Sequence, residues 1–138
     1  MIRVAHGLAR GVAEGEALVL SAPLSFWGGI DAESGRIRDP NHPEFGARVA
    51  GRVLVMPFAR GSSSSSSVLA EAIRLATAPS AIVLGAPDPI LTVGAIVAAS
   101  LYGRLCPIVV CPIAGIATGD KVSVRAGDNG DAEVVTPR

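Results

Sequence analysis

The sequence lacks any surplus of charge: twelve Lys and Arg side chains are matched by twelve Asp and Glu, for a formal net charge of zero. It is also poor in aromatics, with three Phe, one Trp and one Tyr. Nucleic-acid binding usually needs a basic face and rings that stack on bases, so a DNA or RNA partner is not expected. No apolar stretch reaches the roughly 20 residues of a membrane helix, and MIRVAHGLARG has no apolar centre of the secretory kind. A cytoplasmic protein without a membrane partner is expected.

Cysteine is equally scarce. Cys106 and Cys111 stand in CPIVVC, where an extended chain holds them about 16 Å apart, too far for a disulfide. Two thiols without a histidine cluster complete neither a zinc site nor the four thiolates of an iron–sulfur cluster, so no metal ligand is expected in this chain. Both read as small buried hydrophobes. The two histidines, His6 and His42, read as structural or surface residues, with His42 and Asp31 as weaker candidates for reaching a site. No lysine completes a phosphate-binding loop at the glycine of the serine-rich turn, and no glycine–x–serine–x–glycine elbow occurs. ATP hydrolysis and serine-hydrolase chemistry lose weight accordingly.

What is present is a foldable chain. Its 138 residues are 49% hydrophobic and 17% charged, which suits a single domain spanning 1–138. EALVL at 16–20 reads as a first strand, and SAPLSFWGGID as a loop interrupted by Pro23, Gly28 and Gly29. The polar stretch Asp31 to Gly46 is expected to run over the surface. GRVLVMP at 51–57 and AIVL at 81–84 are apolar, β-branched runs of the kind that become strands buried on both faces. Val68, Leu69, Ala72, Ile73 and Ala76 recur at helical spacing, predicting a helix from about Ser65 to Ala76. Asp88 and Pro89 look like the cap and first residue of a second helix. PIVVC at 107–111 repeats the strand signal, and DKVSVRAG with AEVV suggests a C-terminal hairpin. The alternation predicts an α/β core with extra β structure from both ends.

The most unusual feature is six consecutive serines, Ser62 to Ser67, within ARGSSSSSSVLAEAIR. Serine runs are commonly linkers. This one lies between a buried strand and an amphipathic helix, so it has no second unit to tether. A strand that turns through glycine into a helix start offers free backbone N–H groups and the positive end of the helix dipole, a combination that binds anions. Ser62 and its neighbours can hydrogen-bond a carboxylate or phosphate there, and Arg60 can clamp one.

Five motifs in order, PLSFWGGID, HPEFG, AGRVLVMPFARGSSSSS, TAPSAIVL and DPIL, resemble the small subunit of aconitase X-type dehydratases over about Gly11 to Val110. The resemblance implies the swivelling β/β/α domain of the aconitase superfamily, closing over a larger, cysteine-containing subunit that holds an iron–sulfur cluster. It implies that Ser62 is the proton acceptor and that Arg60, Gly61, Ser63 and Ser66 bind or orient a small carboxylate substrate. Ala59 departs from the family pattern, which has glycine before Arg60. The arginine that follows the serines in aconitases is replaced here by serine, leaving the carboxylate-binding residue open. The resemblance points to cis-3-hydroxy-L-proline, giving Δ1-pyrroline-2-carboxylate, as substrate. Mevalonate 5-phosphate and a non-catalytic small-anion module are the alternatives. The loop Ser25 to Gly29 is expected to shape the pocket or to pack on the larger subunit.

Overall fold

A computed structural model describes residues 1–137. In chain order its elements are β1 (Ile2–Ala9), β2 (Gly11–Val19), the four-residue turn α1 (Phe26–Gly29), β3 (Ile30–Asp31), β4 (Arg36–Ile37), β5 (Val53–Met56), α2 (Ser65–Arg74), β6 (Ala81–Leu84), α3 (Pro89–Tyr102), β7 (Ile108–Val110), β8 (Lys121–Ala126) and β9 (Asp131–Val135). Seven strands close into a barrel in the order β1-β7-β6-β5-β2-β8-β9, and β3 with β4 forms a separate hairpin. The ladders β2–β5, β5–β6 and β6–β7 are parallel, whereas β1, β8 and β9 complete the ring with antiparallel ladders. The expected α/β class holds.

Period-two alternation along the parallel strands divides the apolar side chains between two cores. Val53, Val55, Ala81, Val83 and Val109 point into the barrel, where they meet Val122, Val124 and Val134. Leu54, Met56, Ile82, Leu84 and Ile108 point outward and are covered by Leu69 and Ile73 of α2 and by Leu91, Ala95 and Ala98 of α3. Each fully buried Leu or Ile contributes about 1.5–3 kcal/mol. Because both faces of these strands are buried, their sequences read as unbroken apolar runs.

Three departures from expectation have physical causes. The first strand begins at Gly11, and a further strand, β1, precedes it. In the first half of β1 Ile2 and Val4 face solvent while Arg3 is half-buried, so the alternation there is inverted. The stretch from Asp31 to Gly46 does not simply cross the surface: it buries Ile37 and His42 beside Ile30 and Val49. Finally, α2 stops at Arg74. Ala76 takes φ +61°, and Ala76 N and Thr77 N donate to Ile73 O and Ala72 O, a Schellman termination built without glycine. Among the described residues no helix is long and apolar enough to cross a membrane.

Candidate active site

The chain leaves β5 at Met56 and passes beside the loop that carries Leu24 to Trp27. Leu24 and Ala59 form an isolated parallel bridge, and Arg60 N donates to Leu24 O. At Gly61 the backbone takes φ +111°, and a Cβ there would lie 1.9 Å from Ser25 Oγ. Glycine is therefore required on two counts, conformation and space.

The six serines then diverge in role. Ser62 is exposed, its Oγ accepts a hydrogen bond from Ser64 N at 3.1 Å, and its carbonyl accepts one from Ser65 N. Ser63 is exposed next to it. Ser64 is the N-cap of α2 but makes no side-chain capping bond. Ser65 is buried and its Oγ accepts from Trp27 N at 3.0 Å, fixing the aromatic loop. Ser66 Oγ donates to Ile90 O at 2.5 Å, tying α2 to α3. The N–H groups of Ser65, Ser66 and Ser67 bond to carbonyls of Ser62, Ser63 and Ser64, so the helix opens in a tight 3₁₀-like turn. The free donors lie one step earlier than a helix start would suggest. Among the described residues the amides of Gly61, Ser62 and Ser63 form no hydrogen bond, which leaves three consecutive backbone donors free.

A cleft of about 170 Å³ sits at this turn. Arg60, Gly61, Ser62 and Ser65 form one wall, Pro87 to Leu91 the other, and Phe26 and Ala59 contribute apolar surface. Ser63 and Ser66 do not line it. It lies beyond the carboxyl ends of the parallel strands β5 and β6, where ligands of open α/β sheets also bind. Arg60 forms no ion pair or hydrogen bond through its guanidinium among the described residues. Asp88 caps α3, its Oδ1 accepting from Ile90 N at 2.8 Å and Leu91 N at 3.1 Å. The cleft therefore has a cationic side and an anionic side.

The opposite wall of the cleft, Pro87, Ile90 and Leu91, had no separate signal in the sequence beyond the DPIL cap. His42 is buried, and its ring accepts from Glu44 N through Nδ1 while Nε2 lies 3.0 Å from Ala22 O. That pattern makes Nε2 the protonated nitrogen and gives the ring a structural task. Asp31 accepts from Ser34 Oγ and Glu33 N. The Ser34 bond, then the Glu33 amide, hold its carboxyl below the ordinary range. His6 is exposed on β1, and none of these three residues lines the cleft.

A larger cavity, about 390 Å³, lies between β1, α3 and the β8–β9 turn. Its charged groups, Arg10 and Asp128, pair with each other at 3.4 Å, and no serine of the run reaches it. Convergent polar groups rather than volume make the smaller cleft the candidate site. Cys106, at the edge of the larger cavity, is buried, and burial pushes its thiol from 9.0 up to about 12. Burial also raises the Cys111 thiol, against a smaller pull from Arg3. Neither thiol lines the serine cleft, and no group of three or more His, Cys, Asp or Glu side chains among the described residues is arranged to hold a metal. The described residues of this chain thus do not fit an iron–sulfur cluster.

A closed barrel with one helical layer, offering a hydroxyl and free amides at a helix entrance, defines a small α/β domain built to present polar groups at its edge. The aconitase X swivel domain model matches residues 3–134, and the chain belongs to that family. It is 49% identical over 105 residues to cis-3-hydroxy-L-proline dehydratase of Pseudomonas aeruginosa, a match covering 76% of this chain but 18% of that one. It is 36% identical over 131 residues to the phosphomevalonate dehydratase small subunit of Pyrococcus furiosus, covering 94% and 92%. The chain thus spans under a fifth of the first relative and nearly all of the second. Both are dehydratases, that is hydro-lyases, by name. The crystal structure of Thermococcus kodakaraensis aconitase X in its holo form superposes with a TM-score of 0.85 at 33% identity, covering 98% of each chain.

Proposed function

We propose that this chain, acting as one swivelling unit over residues 1–138, is the small subunit of a cytoplasmic two-subunit hydro-lyase that dehydrates a small β-hydroxy acid. Ser62 is the proton acceptor. The observation that carries this is the setting of its Oγ, which accepts a backbone N–H bond at 3.1 Å in a cleft shared with the unpaired Arg60. A neutral serine is a very poor base. A donated hydrogen bond and a nearby cation both favour its alkoxide over its alcohol. The free amides of Gly61 and Ser62 and the Arg60 guanidinium receive the substrate carboxylate, and Ser66 acts as a positioning residue by holding α2 against α3. The larger subunit is the proposed holder of the iron–sulfur cluster.

Of the two substrates, cis-3-hydroxy-L-proline is the better match. Its secondary ammonium faces Asp88 while its carboxylate faces Arg60, and a cleft of about 170 Å³ suits a single small ring. Ser62 takes the C2 proton, the C3–O bond breaks, and the resulting enamine gains a proton at C3 and loses one from nitrogen to give Δ1-pyrroline-2-carboxylate and water. Mevalonate 5-phosphate keeps a claim because the relative of matching length is a phosphomevalonate dehydratase small subunit, yet its phosphate dianion meets the Asp88 carboxylate unfavourably.

The test is reconstitution with the cognate large subunit and assay of both substrates by mass spectrometry. Turnover of the hydroxyproline is expected, and Ser62→Ala is expected to lower kcat by about 10²–10⁴ with assembly intact. Near-normal turnover in that variant moves the base elsewhere. Binding without turnover of either compound in the assembled pair would leave a small-anion module.

A further inference from the structure

We infer that the charge-free outer face of α3 is the surface on which the larger subunit docks, an inference that rests on the two-subunit reading above. The fourteen residues of α3, PILTVGAIVAASLY, contain no charged side chain. Its inner face, with Leu91, Ala95 and Ala98, is buried on the barrel. Its outer face, Ser100 apart, is also apolar yet open to solvent, with Val93 51%, Ile96 54% and Leu101 66% exposed. Its neighbour α2 behaves as a surface helix should, placing the Glu71–Arg74 ion pair outward. A helix that is apolar all round is one built for burial on every side, and a contiguous apolar surface of this kind marks an interaction site.

The relief of this face suits a protein partner. The exposed ridge runs between two depressions, the cavity of about 390 Å³ beside Ile96 and Leu105 and a groove of about 290 Å³ beside Gly94, Val97 and Tyr102. A ridge with a hollow on each side accepts interdigitating side chains. It also gives the cavity of about 390 Å³ a use that its paired charges and buried thiol deny it as a catalytic site.

Two observations select the larger subunit over a second copy of this chain. In the Pseudomonas aeruginosa dehydratase the matching stretch is 18% of a single chain, so most of that chain is available to cover it. The relative that this chain matches nearly end to end is named a small subunit. The face is also continuous with the site: Pro89, Ile90 and Leu91, the first turn of α3, wall the serine cleft, and Val93 follows within one helical turn. A chain that closes this cleft meets the ridge.

The test is co-purification of the cognate large subunit with wild type, with Ile96→Glu/Leu101→Glu, with the milder Ile96→Ser/Leu101→Ser, and with Lys121→Glu on β8 as a control. The expected result is at least a tenfold loss of complex for the glutamate pair, a smaller loss for the serine pair, none for the control, and unchanged circular dichroism and thermal melting. Complex retained by both α3 variants overturns the inference while leaving the two-subunit reading intact. So does a wild-type homodimer, seen by sedimentation, that dissociates in the same variants. Failure of the wild-type pair to assemble fells the two-subunit reading, and this inference with it.

Discussion

Six identical side chains do unlike work because each meets a different neighbour. Ser62 accepts an amide bond at the cleft, Ser65 receives Trp27 N, and Ser66 holds Ile90 O. Composition singled out the run and the family resemblance singled out Ser62, but nothing in a string of one letter separates the buried Ser65 from the exposed Ser63. Asp88 shows the same double character, since a capping carboxylate also charges the cleft. Asn caps a helix about as well as Asp, so Asp88→Asn isolates the charge. Melting of that variant is expected to stay within about 0.5 kcal/mol of wild type, while KM for a substrate bearing an ammonium rises roughly tenfold, the equivalent of one well-placed charged hydrogen bond. An unchanged KM, read from steady-state kinetics, removes Asp88 from substrate recognition.

At the scale of elements, the parallel strands and both helices were legible because their burial demands long apolar runs or a helical period. The strand β1 was not, since Ile2 and Val4 face outward opposite the usual order, and only closure of the ring against β9 and β7 explains it. The helix α2 crosses α3 closely: a Cβ on Gly94 would lie 2.6 Å from Ser66 O, so this contact admits no side chain. The end of α2 carries a local cost that the fold tolerates. Ala76 sits at φ +61°, where a Cβ costs about 1–2 kcal/mol relative to glycine. Ala76→Gly is therefore expected to stabilise the protein by about 0.5–1 kcal/mol, a rise of about 2–4 °C in Tm. A fall in Tm on differential scanning calorimetry would falsify the strain assigned to this residue.

For the molecule as a whole, two cores share the parallel strands, and their thiols couple stability to alkaline pH. The Cys106 thiol is raised from 9.0 to about 12 by burial, and that of Cys111 is raised as well. Unfolded, such thiols ionise near pH 8.5–9. Between that value and about 12 the native state holds the Cys106 proton that the unfolded chain has released, so stability falls as pH rises and is fully present below pH 8.5. The expected slope from Cys106 is about 1.4 kcal/mol per pH unit in this window, and the raised Cys111 thiol acts in the same direction. Urea denaturation at pH 8 and pH 10 measures it, and Cys106→Ala should flatten the difference. Equal slopes in the variant and wild type would assign the alkaline loss to other groups. A thiol reagent at pH 8 is expected to leave both cysteines unmodified until the protein unfolds.

By itself the sequence determined the α/β class, the strand–turn–helix that holds the serine run inside the fold instead of leaving it a tether, the Asp88 cap and the family, because these depend on local periodicity, on turn chemistry and on motifs contiguous in the chain. Only the tertiary structure decided which serines face the cleft, that Gly61 must clear Ser25, that His42 is pinned inside, and that one side of α3 stays uncovered. Those facts are distances between residues far apart in sequence, set by how the barrel closes and how α2 crosses α3, and no local pattern of side chains encodes them.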